Sequence, residues 1–364
     1  MTQKQRLLFA AVTLAVIVAA TVAARFAGPS NKAAFEPEPL APELASQVDD
    51  VASVEIKAAD AAFSITRDQA GNWVLPGKSG YRAAFGKIKA LVGGIVRAEK
   101  LEPKTAKPEN YGKMAVGDPG EDGTGALVKL RNAKGEALFA LIIGRRKYAA
   151  GGKDAGTYVR RPAEARVWLV SGLPVVDQDS AQWLDGDLIE IDRARARDAR
   201  VEHGDGEVLE VMRAAPDQAD FTVLAWPEGA TLLSPTAPNG LGAALGLVRF
   251  DDVTPADALD FSTATQTVFT TFDGLRITVQ TIRAGQDYWS TFKAEFDASL
   301  IAAAPEEGAI VLSNAPEDGE AEAADINKRV AGWAYKLPAH KGAELVKRIG
   351  DLIRPEQAGD DSAG

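Results

Sequence analysis

The two histidines come first, because imidazole is the side chain that most readily transfers protons or binds metal near neutral pH. The chain of 364 residues contains only His203 and His340, in distant parts of the sequence. A catalytic or metal-binding histidine usually has acidic or histidine residues near it at a fixed spacing. Neither histidine shows such a pattern. We therefore predict no catalytic residue and no metal ligand.

Two loop-like segments have the wrong order of residues for ligand loops. Residues 151–157 read Gly-Gly-Lys-Asp-Ala-Gly-Thr, without the Gly-x4-Gly-Lys-Ser/Thr order and following helix of a phosphate loop. The aspartates at 177–179 and 185–187 lack the alternating oxygens and late glutamate of a calcium loop. The chain has no cysteine, which excludes disulfides and thiolate chemistry. We predict no cofactor and no enzyme.

Arginines form the most unusual local pattern. Arg193, Arg195 and Arg197 alternate with alanine, so a strand would place them on one face. Together with Arg145 and Arg146, they would form an interaction patch for an anionic glycan or an acidic loop of a partner. The alternative is a solvated strand edge that resists aggregation. Similarly, the six tryptophans either fill the core or, where exposed, form a sugar-binding platform.

Hydrophobic periodicity predicts the elements that position these residues. Period-two alternation indicates strands, and an apolar face of Phe85, Ile88, Leu91 and Ile95 indicates a helix over 81–97. The order of strands, helix and strands then repeats, with helices predicted over 240–248 and 343–353. We predict an α+β fold of two tandem related modules, each an antiparallel β-sheet with a packed amphipathic helix: residues 51–190, residues 191–354 with an acidic insert at 297–325, and a disordered tail at 355–364.

The N-terminal residues 1–27 predict a single transmembrane helix. Residues 7–24 carry no charge and are long enough to cross the hydrocarbon core; the anchor residues include Leu7, Leu8, Phe9, Leu14, Ile17 and Val22. Lys4 and Arg6 precede the apolar stretch, which favours a cytoplasmic N-terminus and a periplasmic body at a bacterial inner membrane. A cleaved signal peptide is the alternative. Residues 28–50 are rich in proline and glutamate and predict an extended spacer.

The overall charge limits the partners. The formal net charge is −10, which argues against nucleic acid, because nucleic-acid binding requires a basic surface. The predicted partners are therefore the membrane, through the anchor, and other proteins or glycans.

Several short motifs resemble the domain-of-unknown-function family 4340. They are Gly71-Asn-Trp-Val-Leu-Pro76, Tyr111-Gly112, Asp118-Pro119, Ile143-Gly144 and Thr157-Tyr158-Val-Arg160. The resemblance covers roughly residues 48–195 and, more loosely, extends to about 354. Lys113-Met114 and Trp168 depart from the family's usual leucine and tyrosine. The resemblance implies an exported, membrane-tethered accessory protein, found beside ABC-2-type transporter and gliding-motility-type components, and it transfers no catalytic residue.

Three functional hypotheses follow. The first is a non-enzymatic, membrane-tethered periplasmic accessory protein of an ABC-type export or motility-like complex, whose partner is an ABC-type permease or auxiliary subunit. The second is a glycan- or peptidoglycan-binding module that uses exposed tryptophans and the arginine patch. The third is an envelope hydrolase that depends on a pair of carboxylates brought together only in three dimensions.

Overall fold

A computed structural model describes residues 35–120, 125–301 and 315–354. The predicted anchor at 7–24 and tail at 355–364 lie outside these residues. Among the described residues, no helix combines the length and the apolar character that a membrane span requires.

The described residues form antiparallel sheets with a few helices, which confirms the α+β class. The strands are β1 Glu38–Pro39, β2 Ser53–Lys57, β3 Ala62–Arg67, β4 Trp73–Leu75, β5 Tyr81–Arg82, β6 Glu99–Pro103, β7 Ala126–Arg131, β8 Ala137–Tyr148, β9 Asp154–Arg160, β10 Val167–Val170, β11 Ala196–Glu202, β12 Val208–Met212, β13 Thr222–Leu224, β14 Asp252–Pro255, β15 Thr265–Thr271, β16 Leu275–Ala284, β17 Asp287–Phe296 and β18 Trp333–Leu337. The helices are α1 Phe85–Arg97, α2 Tyr111–Met114, α3 Asn239–Gly242, α4 Gly319–Val330 and α5 Ala339–Leu345.

The chain divides into two compact units. The first contains the described residues up to Ala62 together with Lys89–Val176, and the second contains Phe63–Ile88 and the described residues from Asp177 onward. This division differs from the predicted modules at 51–190 and 191–354, because residues 63–88 group with the C-terminal part. The predicted internal repeat stays a prediction.

The first unit is built on one antiparallel sheet with the strand order β1-β6-β10-β9-β8-β7-β2. Strands β7 and β8 are joined by the turn at 132–135, where Gly135 has a φ of +80°. The core side chains alternate with outward-facing ones along β7, whose buried positions include Val128 and Leu130. This is the period-two pattern of a half-buried strand.

The second unit contains the meander β3-β4-β5 and an antiparallel sheet with the order β13-β12-β11-β15-β16-β17-β18-β14. Helix α4 begins inside the predicted acidic insert at 297–325. Asp318 caps its N-terminus, and Ala323, Ile326 and Val330 are buried. This part of the insert therefore contributes to the core.

The predicted spacer at 28–50 does not stay extended where the structure describes it. Leu40, Ala41 and Leu44 are buried, and the Leu40 N–H donates to the Ala98 carbonyl at 2.8 Å. Strand β1 also pairs with β6. The three apolar side chains gain more by leaving water than the prolines gain by holding an extended chain, so residues 38–44 form a strap across the first unit.

Three helix predictions need correction. Residues 81–82 pair with β4, so α1 begins only at Phe85. Helix α3 ends at Gly242 because the following backbone pairs elsewhere: the N–H of Ile191 donates to the Leu245 carbonyl at 2.9 Å. The predicted helix at 343–353 is divided into α5 and a short 3₁₀ helix at Ile349–Leu352.

Candidate functional site

The second unit has an open cleft with a volume of about 760 Å³. Its wall is formed by the turn between β3 and β4, by β5 and the first turn of α1, and by residues of α4 and β18. The lining residues are Arg67, Asp68, Gly71, Asn72, Trp73, Val74, Gly80, Arg82, Ala83, Phe85, Asp185, Lys328 and Trp333.

An aspartate holds the β3–β4 turn in shape. The Asp68 carboxylate accepts hydrogen bonds from the backbone N–H groups of Asn72 at 2.8 Å and Ala70 at 2.9 Å, and Gly71 has a φ of +85°. The bond from the Asn72 N–H lowers the pKa of Asp68. The carboxylate therefore stays ionised and structural, which is unsuited to the proton-donating role that a hydrolase acid requires.

The cleft rests on a cluster of aromatic rings, of which Tyr81 and Tyr335 are buried. The Tyr81 ring meets the Trp333 ring edge-on, with centroids 4.9 Å apart, and contacts Phe250 at 5.6 Å. The Tyr335 ring packs against Phe250 at 5.0 Å. Burial raises the pKa of both tyrosine hydroxyls, so they remain neutral. The Tyr335 hydroxyl donates to the Arg329 carbonyl at 3.2 Å, which connects the end of α4 to β18.

Three cationic side chains border the cleft. The Arg82 guanidinium pairs with the Asp185 carboxylate at 3.2 Å and donates to the Arg329 carbonyl at 2.9 Å. The Arg67 guanidinium lies over the Trp73 ring, 5.1 Å from its centroid. Arg67 and Lys328 are exposed, and neither forms an ion pair within the described part of the chain.

Phe85 provides an exposed apolar surface in the same cleft. We expected it to lie on the buried face of α1, but 58% of its surface is exposed, whereas Ile88, Leu91 and Ile95 are buried as predicted. Phe85 is the first residue of the helix, so it lies one turn before the buried stripe begins. The cleft thus combines an exposed aromatic ring with two cations that have no ion-pair partner among the described residues, on a chain whose net charge is −10.

The motif residues of the first unit form a second cluster, which is structural. Arg160 is buried, and its guanidinium donates to the Val116 carbonyl at 2.9 Å and to the Asp118 carboxylate at 2.8 Å. It also lies over the Tyr111 ring, 4.7 Å from the centroid. At Gly144, a Cβ atom would come within 2.6 Å of the Val116 side chain. The motif therefore fastens the segment 111–118 onto the sheet.

The comparison with protein families agrees with these motifs. The family described as domain of unknown function, DUF4340, matches residues 73–266, which is more than half of the 364 residues. The chain belongs to this family. The search found no similar protein among curated proteins and none among solved structures.

The DUF4340 match covers the motif cluster of the first unit and part of the cleft. Trp73, Arg82, Phe85 and Asp185 lie inside the matched range, whereas Arg67, Lys328 and Trp333 lie outside it. The matched range ends at residue 266, before the limit of about 354 expected from the resemblance.

The predicted arginine patch does not form on one strand face. Arg193 and Arg195 precede β11, which starts at residue 196, and the Arg195 side chain is only 4% exposed. Its guanidinium forms a bidentate pair with Glu322 at 2.8 and 2.6 Å and bonds to Asp273 at 2.8 Å. Burial alone would lower the pKa of Arg195, but the bonds to the two carboxylates outweigh that effect and raise it.

Two other patch arginines, Arg197 and Arg146, also have partners. Arg197 pairs with Asp198 at 2.9 Å. Arg146 donates to the Leu173 carbonyl at 2.7 Å and pairs with Asp154 at 3.3 Å. Arg146 and the exposed Arg145 lie on β8 of the first unit, whereas Arg197 belongs to the second unit.

Neither histidine occupies a recognisable metal site. The buried His203 ring contacts the Thr265 hydroxyl at 3.2 Å and the Lys347 carbonyl at 3.3 Å, and His340 is exposed on α5. Within residues 35–120, 125–301 and 315–354, no group of three potential ligand side chains is positioned to hold a metal ion. Of the tryptophans, Trp73 and Trp183 are buried.

Sequence reasoning missed the cleft because its residues are far apart in the chain. Arg67 and Lys328 come together only because the β3–β5 meander packs within the second unit. One local signal was present: Phe85 begins the amphipathic face of α1, and a helix's first residue often lies outside the buried stripe.

Proposed function

We propose that this member of the DUF4340 family is a non-enzymatic accessory protein that acts through protein contacts. It is tethered to the bacterial inner membrane by residues 7–24, with its body in the periplasm, and serves an ABC-type export or motility-like complex. The observation that carries the protein-contact role is the cleft of the second unit, which is lined by the exposed Phe85 and by two cations, Arg67 and Lys328, without an ion-pair partner in the described part of the chain. The transporter context is supported by the resemblance.

The strap shortens the tether that this proposal implies. Strand β1 starts at Glu38 and is paired with β6, so only residues 25–37 separate the predicted anchor from the folded unit. Thirteen residues span at most about 45 Å, whereas a spacer continuing to residue 50 would span about 90 Å. The proposed tether therefore keeps the first unit near the bilayer, where a membrane-embedded permease would be accessible.

A site-specific photo-crosslink tests the proposal. A benzoylphenylalanine replaces Phe85 in the full-length protein, and the matched control replaces Leu233, which is 51% exposed in the same unit. We expect irradiation of cells to crosslink Phe85, and not Leu233, to a permease or auxiliary subunit. If both positions give the same products, the proposed protein-contact role is refuted.

A glycan-binding role is the alternative, and one observation favours it: Trp73 and Trp333 both line the cleft. However, Trp73 is only 8% exposed, and the Arg67 guanidinium already covers its ring. Sugar stacking requires an open aromatic face, so we give preference to protein contacts. Recovery of peptidoglycan fragments from the Phe85 crosslink would reverse that preference.

A further inference from the structure

We propose that the cleft of the second unit binds an extended acidic peptide segment that carries an apolar side chain, contributed by the partner protein. This inference rests on the proposed function and specifies the chemistry of the partner.

Charge complementarity indicates the sign of the ligand's charge. The cleft is lined by Arg67, Arg82 and Lys328 and by the carboxylates of Asp68 and Asp185. Both carboxylates are already engaged, Asp68 by turn N–H groups and Asp185 by Arg82. The charges left without a partner among the described residues are therefore both positive. The net negative charge of the protein repels an acidic ligand, so such a ligand is attracted only at a local positive site like this one.

Arg67 is prepared to bind a carboxylate. Its guanidinium carbon lies 5.1 Å from the centroid of the Trp73 ring, within the range of a cation–π contact. A guanidinium is a planar donor set that bonds a carboxylate through two parallel hydrogen bonds. Because the contact with Trp73 already restricts the side chain, less conformational entropy is lost when a ligand binds.

Phe85 gives the ligand its apolar character. The ring is exposed in the same cleft as the two free cations, and an exposed aromatic side chain in a concave site is a typical binding anchor. The two tryptophan rings are less accessible than Phe85: Trp73 is only 8% exposed and lies under Arg67, and Trp333 is partly buried and packs against Tyr81. An apolar peptide side chain between acidic residues therefore fits better than a sugar ring.

Peptide display on the full-length protein tests this inference. The protein is immobilised in detergent micelles, and a library of random dodecapeptides is selected against it. We expect selected peptides to be enriched in Asp and Glu together with Phe, Trp or Leu. A selection without acidic enrichment would overturn the inference.

Variants then locate the binding site. For a selected peptide measured by fluorescence anisotropy, we expect R67E, K328E and F85A each to weaken binding about tenfold. R67K should give a smaller loss, because it keeps the charge and removes the fork of donors. The matched control is R276E, an exposed arginine of the same unit that does not line the cleft; it should change the affinity less than twofold.

The outcomes separate the two proposals. Arg67 and Lys328 are exposed and form no described ion pair, so their variants should keep the parent's circular dichroism spectrum and thermal midpoint. If R67E and K328E leave the peptide affinity unchanged, the acidic-peptide inference is wrong. If the Phe85 crosslink still captures a permease in that case, the protein-contact function stands without it.

Discussion

Replacing Arg195 by methionine should strongly destabilise the second unit. The guanidinium forms three charge-assisted hydrogen bonds, two to Glu322 and one to Asp273, each worth about 1.5–3 kcal/mol. Their sum is an upper limit, because the Glu322 and Asp273 side chains are 17% and 18% exposed and can regain some water. Removing one partner of a buried ion pair typically costs about 3–5 kcal/mol. We expect a loss of about 3 kcal/mol.

The assay is thermal unfolding of the full-length protein, combined with hydrogen exchange of α4 and of the turn between β15 and β16. For a unit of this size, 1 kcal/mol lowers the midpoint by about 2–4 °C, so R195M should lower it by roughly 6–12 °C. The control R193M removes an exposed arginine 3.9 Å from Asp220 and should cost less than about 0.5 kcal/mol.

A charge-neutral variant checks the cause. The triple variant R195M/D273N/E322Q should regain at least half of the lost stability, because no buried charge remains. A loss below 1 kcal/mol in R195M, equal to that of R193M, would refute the reasoning.

Three other changes probe the strap, the motif cluster and the cleft wall. L44A should destabilise the first unit by about 2–4 kcal/mol, measured by urea unfolding. The control S46A changes an exposed residue and should leave the stability unchanged. Equal effects of the two variants would favour the original prediction of an extended spacer. G144A should lower the free energy of unfolding by about 1–3 kcal/mol through overpacking. The control G112A should not, because a Cβ there would meet open space. A lowered thermal midpoint in both variants would contradict this. D68A should loosen the β3–β4 turn most above pH 4 and less at lower pH. The pKa of Asp68 is lowered in the folded state, so its contribution is fully present above the unfolded pKa of about 3.9 and is lost as pH falls through the folded pKa. Hydrogen exchange of the turn at pH 3 and pH 7 tests this, and loosening of equal size at both pH values would contradict it.

Local pattern was sufficient where an element forms its hydrogen bonds internally or with strands next to it in the sequence, and buries one face. Strands β4 and β12, at 73–75 and 208–212, alternate buried and partly buried side chains, and such alternation in the sequence reports burial directly. The buried stripe of α1 follows from the same logic. These elements needed no information about distant residues.

The failures share a physical cause, which is competition from a distant partner. Residues 245–248 have apolar spacing typical of a helix, but their backbone pairs with 189–191. The alternation at 193–197 suggested a surface strand, but Arg195 meets Glu322 from α4, 127 positions later in the chain. The cleft likewise depends on contacts that no local window contains.

The extent of the family match suggests how specificity is divided within the cleft. The DUF4340 range contains Phe85 and the Arg82–Asp185 pair, whereas Arg67 and Lys328, which form no ion pair among the described residues, lie outside it. An apolar contact such as the one proposed for Phe85 gives affinity with little discrimination, and the charged side chains around it decide which partner is accepted. The double variant R67E/K328E should therefore keep the contact with Phe85 and select basic, aromatic peptides from the same library. If it instead selects no peptides at all, Arg67 and Lys328 are themselves required for affinity, and specificity cannot be separated from affinity at this site.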